Sequence, residues 1–487
     1  MNSSQTSTIR TDGSAAAPPL SCHSDGHGNL PGRLATWHAF AAIVFLSWRF
    51  GGMEPRARAI AGFWCLAAPV ITWFAWRRAE ARLRVRFLRI VLPLAALAFV
   101  VLVSAFNPSM RLLANAGQPA GLVARDDYLR FLPSTAWPAS TIEDFFFKAG
   151  LILVGLNLFL ASPGRRHQQL LLAGIAVNTA ILACSGSLFK LAGATMIYDA
   201  VSSPNRHFFA SFVYYNHWGG FALLGAAAAA GLGLDFSRHS HPGAGRDTPS
   251  LLLGVLAVFI LASLPMSGAR AASAAGMLLA LILAVRLLTR QGSKRTRCRG
   301  AAVSAALLLG LAGATTLLFA TGPMRFMFRK TSEQFSAMHD GSIGDARLPV
   351  YRDTWRLFEQ QPVFGWGWRS FQYVFPRVQS SEFRMQNEQR SPSVFLDAHN
   401  DWLQWLAELG LVGALLGLAA LVGVARAASA RWWRLSPSFE ILAGLGCLGL
   451  LACVDFPFAC PAIVVTASTL LATAAGVACR REVQAIP

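Results

Sequence analysis

Asp397-Ala398-His399-Asn400-Asp401-Trp402-Leu403-Gln404-Trp405-Leu406-Ala407-Glu408-Leu409-Gly410-Leu411-Val412-Gly413 is the stretch on which the reading of this chain turns. The polar residues His399, Asn400 and Asp401 lead into an apolar run that continues to residue 425. That run is about as long as the roughly 20 residues an α-helix needs to cross a bilayer. Asp397 is positioned to cap this helix, which would place His399 in its first turn. The positive end of the helix dipole there disfavours imidazolium, whereas Asp397 and Asp401 push the other way. A lone histidine at a membrane interface is more often structural than catalytic.

Similar runs recur along all 487 residues. Twelve spans are expected, at about 34–52, 58–76, 88–106, 144–161, 169–186, 216–234, 250–267, 270–288, 300–320, 402–425, 439–456 and 461–479. With 54% hydrophobic residues, 14% charged residues and a mean hydropathy of +0.44, the chain is too apolar for an ordinary soluble protein. The expected fold class is an all-α integral membrane protein of about twelve transmembrane helices, with a large loop containing short helices.

The net charge of +19 invites a nucleic-acid reading, which the placement of the arginines excludes. With a cytoplasmic N-terminus, Arg77, Arg78, Arg82, Arg84 and Arg86, then Arg165 and Arg166, Arg238 and Arg246, Arg290 to Arg299, Arg431 and Arg434, and Arg480 and Arg481 all fall in inside loops. This is the positive-inside pattern. The first outside loop, with Arg49, Arg56 and Arg58, is its exception. The first thirty or so residues have no signal-peptide pattern and read as a disordered cytoplasmic tail. Three outside segments are large, at about 107–143, 187–215 and 321–401, and the last is far too long for a connector.

The eight cysteines show no CxxC spacing, so neither a zinc site nor a disulfide scaffold is indicated. No Walker loop, HExxH or GxSxG occurs, leaving ATP use, zinc hydrolysis and serine-hydrolase chemistry without a motif. In the longest loop, residues 345–358 read as an amphipathic helix with Pro349 in its first turn and Arg347 at its start. Tyr351, Trp355 and Phe358 would share one face, and Arg352 and Arg356 another. The same pattern fits a helix lying on the membrane surface. Gln361 to Trp368 reads as a Pro/Gly turn flanked by aromatics. Arg270 ends Pro265-Met266-Ser267-Gly268-Ala269-Arg270, where it either snorkels or meets an anion. Asn216 and His217 open the sixth span, and Asp126, Asp127, Glu143, Asp144, Lys148 and Asp455 read as interfacial charges.

Together these stretches resemble the O-antigen ligase and polymerase superfamily. The resemblance is carried by Arg347 to Trp355, by Pro362, Gly365 and Gly367, and by Asp397 to Gln404 with Glu408, Gly410 and Gly413. Met266 to Arg270 resembles that family's upstream Ser-Arg segment, with Gly268 and Ala269 inserted, and Asn216 and Asp455-Phe456-Pro457 stand in familiar places. The resemblance covers about residues 205–475. It implies a ligase-like membrane domain at 205–475 that includes periplasmic loop 321–401, while composition and the apolar runs give a disordered cytoplasmic tail at 1–33, N-terminal transmembrane helices at 34–204 and a cytoplasmic tail at 476–487.

The resemblance further implies a GT-C-like membrane glycosyltransferase in the bacterial inner membrane, with both termini cytoplasmic and a periplasmic active site. Its donor would be an undecaprenyl-diphosphate-linked glycan and its acceptor lipid A-core. Membrane lipids would surround it, and neither nucleic acid, cofactor nor metal is called for. Arg270 and Arg347, with Arg352 in support, would offset charge on the leaving diphosphate. His399 would act as general base, with Tyr351, Asn400, Asn216 and His217 as possible supporting residues. Ligase activity is the expectation because one dominant outer loop ends at His399. Repeat-unit polymerase, protein O-oligosaccharyltransferase and, in a different class, an anion or lipid-linked substrate transporter are the alternatives.

Overall fold

The computed structural model describes residues 29–113, 121–198, 201–202, 208–239, 248–289, 347–380, 395–428 and 435–484. The described residues are mostly helical, at 77%. Eight helices, counted among the described residues, are long and apolar enough to cross a membrane. The protein is thus a multi-pass membrane protein. The expected ninth span, 300–320, lies outside the described residues, as do residues 321–346 and 381–394 of the long loop.

Asn29 accepts a hydrogen bond from the Gly32 amide and Pro31 sits in the first turn, so α1 (Leu30–Trp48) begins before residue 34. The second span is broken into α2 (Pro55–Cys65) and α3 (Ala67–Arg78), because Pro69 has no N–H for the Cys65 carbonyl. Next come α4 (Ala81–Ala105), α5 (Pro138–Ala161), α6 (Arg165–Leu191), α7 (Tyr215–His239), α8 (Thr248–Ser267) and α9 (Arg270–Leu288). After the long loop's helix α10 (Arg347–Gln360), the chain continues through α11 (Asp401–Ala427), α12 (Ser438–Leu451) and α13 (Pro461–Gln484). Two antiparallel hairpins, Met110–Leu113 with Gly121–Ala124 and Met196–Ile197 with Val201–Ser202, are small exceptions to an all-α fold.

At the centre stands α7, with 83% of its apolar stretch buried against 22% for the peripheral α4. The Ala and Gly content of α7 lets neighbours approach closely. A Cβ at Gly219 would fall 2.3 Å from that of Ala272, so α9 crosses α7 close to the first turn of both helices.

At one end of the bundle, the described parts of segment 107–137 and of the long loop pack into a cap with its own core. Met110, Ala136, Val350, Leu357, Trp366, Phe371, Phe375 and Ala407 form that core. Val101, Phe145, Trp368 and Leu409 join it to the helices below. Ser370 Oγ accepts from the Ala136 amide at 3.0 Å, and Thr141 donates to the Trp368 carbonyl at 2.7 Å.

Two of the three arginines in the exceptional first outside loop have acidic partners. Arg49 pairs with Glu54 at 3.0 Å, and Arg58 pairs with buried Asp144 at 2.8 Å. Asp144 also meets Lys148 at 3.1 Å and the Trp368 indole N–H at 2.9 Å, so it is a buried junction between bundle and cap rather than an interfacial charge.

On α10 the buried face is Val350, Asp353, Thr354, Leu357 and Phe358, whereas Trp355 is 47% exposed. Tyr351, Trp355 and Phe358 therefore do not form one buried aromatic face. Burial follows the contact with α11 and the cap core, and Asp353 is held inside by the Ser380 amide at 2.9 Å.

Candidate active site

The N-termini of α7, α9, α10 and α11 and the turn between α12 and α13 meet at the cap end of the bundle. Their meeting point is Asp455. The helix expected to run to residue 456 stops at Leu451, which leaves Asp455 in the turn, 1% exposed. Its Oδ1 accepts from the Phe456 amide at 2.9 Å, and its Oδ2 accepts from the Asn216 side-chain amide, which also donates to the Tyr214 hydroxyl at 2.9 Å. Arg347 Nη2 approaches Oδ2 at 3.8 Å. Burial pushes the Asp455 carboxyl up to about 6, and Arg347 and these hydrogen bonds pull it back down. Burial and the neighbouring Asp455 likewise raise the Tyr214 phenol.

His399 lies just before α11 rather than in its first turn. The cap is Asn400, whose Oδ1 accepts from the Leu403 amide at 3.0 Å. Asp397, the expected cap, turns instead to Arg369 at 2.9 Å. A guanidinium offers the aspartate a charge-assisted bond, whereas Asn400 reaches the helix N-terminus with local geometry alone.

His399 has a φ of 54°, a left-handed backbone that non-glycine residues seldom adopt. The surroundings impose it: the Tyr351 hydroxyl donates to the His399 carbonyl at 2.8 Å, and the Asp401 amide donates to Ala452 at 2.9 Å and to Asp455 at 3.2 Å. Asp401 in turn accepts from the Phe458 amide at 2.8 Å. Strained backbone held this firmly is a recurrent property of functional sites.

The rings arrange themselves about Phe456. Tyr214 stacks on it at 5.2 Å, and His217 and His399 meet it edge-on at 5.3 and 4.8 Å. His217 is buried beneath this layer, so its role is packing under the site rather than facing it. Arg270 is the exposed first residue of α9, set after Gly268 at φ 83°. Arg347 reaches the head of α7 through Asp455 and Asn216, and Arg270 lies two residues before Ala272, which packs against Gly219 of α7. Arg352 is exposed on α10 next to Tyr351, to one side of these contacts.

The Pro/Gly turn fixes the approach of α11. At Gly410 the helix breaks, with φ 63° and ψ −167°, a conformation essentially reserved for glycine. The backbone groups freed by the break bond to the turn: Leu411 and Val412 donate to Pro362 and Val363 at 2.8 and 3.0 Å. Ala407 and Glu408 accept from Trp366 and Gly367 at 3.0 and 2.8 Å. A Cβ at Gly365 would lie 2.4 Å from the Glu408 carbonyl carbon. The Glu408 carboxylate completes the clamp by accepting the Arg369 and Phe371 amides at 2.9 and 3.0 Å.

Among the described residues, no group of His, Cys, Asp and Glu is placed to hold a metal ion. The arrangement offers two guanidiniums, a tethered imidazole and a buried carboxylate at one mouth. Asp455, Tyr214 and Phe456 are the residues whose importance pattern reading underrated. Their signal was an acid followed by proline between two apolar runs, which looks no different from an interfacial charge until the turn is folded.

Residues 255–418 match the family profile described as O-Antigen ligase. The chain carries a domain of the O-antigen ligase and polymerase superfamily. No curated protein matches the chain. The ligase domain match runs from within α8 to within α11 and includes Arg270, Arg347, Tyr351, Arg352, His399 and Asn400. Asn216 and Asp455 approach the O-antigen ligase domain from outside the matched residues. Such a domain implies a membrane glycosyltransferase-like enzyme of the ligase superfamily.

Proposed function

We propose that this protein is an O-antigen ligase that transfers a glycan from undecaprenyl diphosphate to lipid A-core on the periplasmic face of the bacterial inner membrane. The observation that carries the reading is the convergence of Arg347, the Asp401 amide and the His399 ring on the turn around buried Asp455, with Arg270 at the head of the adjoining helix. The placement of arginines in the alternate short loops supports cytoplasmic termini and, with them, a periplasmic cap.

An acceptor hydroxyl attacks the anomeric carbon, forming the new C1–O bond as the C1–O bond to the diphosphate breaks. His399 takes the hydroxyl proton, and the bonding electron pair leaves on the diphosphate. Arg270 and Arg347, with Arg352 at the rim, offset the charge that develops there, a task guanidinium groups perform without a metal. A single displacement inverts the anomeric centre. Tyr351 holds the His399 carbonyl, Asn400 caps the helix that follows, and Asp455, itself bonded by Asn216, holds Arg347. The helix break at Gly410 does not favour a transporter, because the turn already satisfies the backbone groups that a transported substrate would use.

The deciding experiment is a lipopolysaccharide gel of a deletion strain. Lipid A-core without attached O-antigen, with lipid-linked polymer accumulating, is the expected result. Attachment of single repeats would instead make the protein a polymerase, and unaltered lipopolysaccharide would remove both readings.

A further inference from the structure

A second cleft, of about 460 Å³, opens in the cap at the far end of α10. Its size is that of a ligand site. One wall is the segment 124–130, another is the turn Pro362–Trp366 with Gln360 and Gln361, and Arg377 closes it. None of the residues assigned to the glycosyl-transfer site lines it.

The lining has a definite chemistry. Arg130 stands over the Tyr128 ring at 6.0 Å and Arg377 over the Trp366 ring at 5.8 Å. The Tyr128 hydroxyl is fixed by the Gln361 amide at 3.0 Å, and the Trp366 indole N–H by the Leu357 carbonyl at 2.8 Å, so both rings are held in place. Arg125 is occupied by a two-pronged pair with Asp127 at 2.8 and 2.6 Å. Among the described residues neither Arg130 nor Arg377 is in an ion pair. Planar guanidiniums next to fixed aromatic faces suit a ligand that is both anionic and sugar-like, the guanidiniums taking phosphate or carboxylate in forked hydrogen bonds. A lipid tail would find little aliphatic wall here.

We infer that this cleft binds the anionic oligosaccharide portion of the acceptor, holding it by phosphate groups while its terminal hydroxyl reaches His399. The inference rests on the glycosyl-transfer reading above. Geometry favours the acceptor over the donor diphosphate. Arg347 is the first residue of α10 and Gln360 its last, so the cleft lies about 20 Å along that helix from the arginine assigned to the leaving group. That separation suits an oligosaccharide rather than a single sugar. The cleft wall is also bonded directly to α11 through Trp366 and Gly367, which fixes its position relative to His399.

The test uses the full-length protein in nanodiscs. The probes are core oligosaccharide released from lipopolysaccharide by mild acid and the same material after phosphatase treatment. Wild type should bind the phosphorylated probe, and the Arg130→Gln/Arg377→Gln double variant should bind it about ten-fold more weakly while melting at the same temperature. In transfer assays the double variant should raise the acceptor KM by a similar factor, with kcat and the donor KM unchanged. Equal binding of the two probes by wild type, equal binding by wild type and variant, or a rise in donor KM instead would overturn the cleft assignment. If phosphate-dependent binding is lost in the variant but wild type transfers no glycan, the cleft stands as a site for phosphorylated oligosaccharides and the ligase reading falls. Transfer with unaltered kinetics in the variant sinks the cleft alone.

Discussion

Arg347 and Asp455 face each other at 3.8 Å although more than a hundred residues separate them in sequence, and the carboxylate of the pair is almost wholly buried. A buried acid without its cation is costly, so the pair links the start of α10 to the α12–α13 turn. Replacing Asp455 with Asn should release Arg347 and raise the donor KM by about ten-fold or more, with less effect on the acceptor KM. Steady-state kinetics with each substrate varied in turn would check this. Unchanged donor kinetics would remove Asp455 from the positioning of Arg347.

The same carboxyl sets a pH dependence. Burial raises it from the ordinary 3.8 to about 6, so the folded protein holds this proton more tightly than the unfolded chain does. The stability contributed by the neutral form is therefore present below about pH 4 and is lost as pH rises through about 6. Melting temperatures of wild type relative to Asp455→Asn should fall across that window. Activity should run the opposite way, because protonation removes the partner of Arg347. The contribution of this carboxyl to the acidic limb of the donor kcat/KM is expected to be lost in the variant, leaving the limb set by the proposed base.

Gly410 and Gly365 should tolerate no side chain. At Gly410 a Cβ would meet the Val363 carbonyl oxygen at 2.4 Å, in a backbone conformation already closed to alanine. Gly410→Ala should cost about 3 kcal/mol or more, seen as a lowered melting temperature or failure to purify as a single species. A wild-type melt would show that the turn does not clamp the break.

His399→Ala should insert and fold but lose transfer. Tyr351→Phe removes only the hydroxyl that holds the His399 carbonyl, a bond worth about 1 kcal/mol, and should lower kcat about five-fold with the donor KM unchanged. A rise in donor KM without loss of kcat would instead place Tyr351 on the donor.

Arg270→Ala should reduce donor use more than Arg270→Lys, because lysine keeps the charge but not the forked donors. Equal and negligible effects in a donor titration would argue against a diphosphate at the head of α9.

Much of this architecture could be read before folding, because crossing a bilayer imposes length and hydropathy on each helix separately. The expected runs that fall in the described residues overlap helices, although only eight of these are long and apolar enough to cross a membrane, and the polar start of the stretch from His399 to Gly413 marked a helix start. The remainder depends on distant partners. Asn400 caps α11 because Arg369 claims Asp397, a competition invisible along the chain. The cap arises because Ser370 and Trp368 bond to Ala136 and Thr141, groups with no periodicity to betray them. Asp455 looked like any acid at a helix end, since neither Asn216 nor Arg347 lies near it in sequence.

The break at Gly410 makes the first turns of α11 a lever with its pivot already bolted. Since the turn 362–367 grips the backbone on both sides of that pivot, neither half of the helix can swing alone. Force applied to the cap is delivered to the residue at the lever's tip, His399, and a substrate that settles the cap also settles the base.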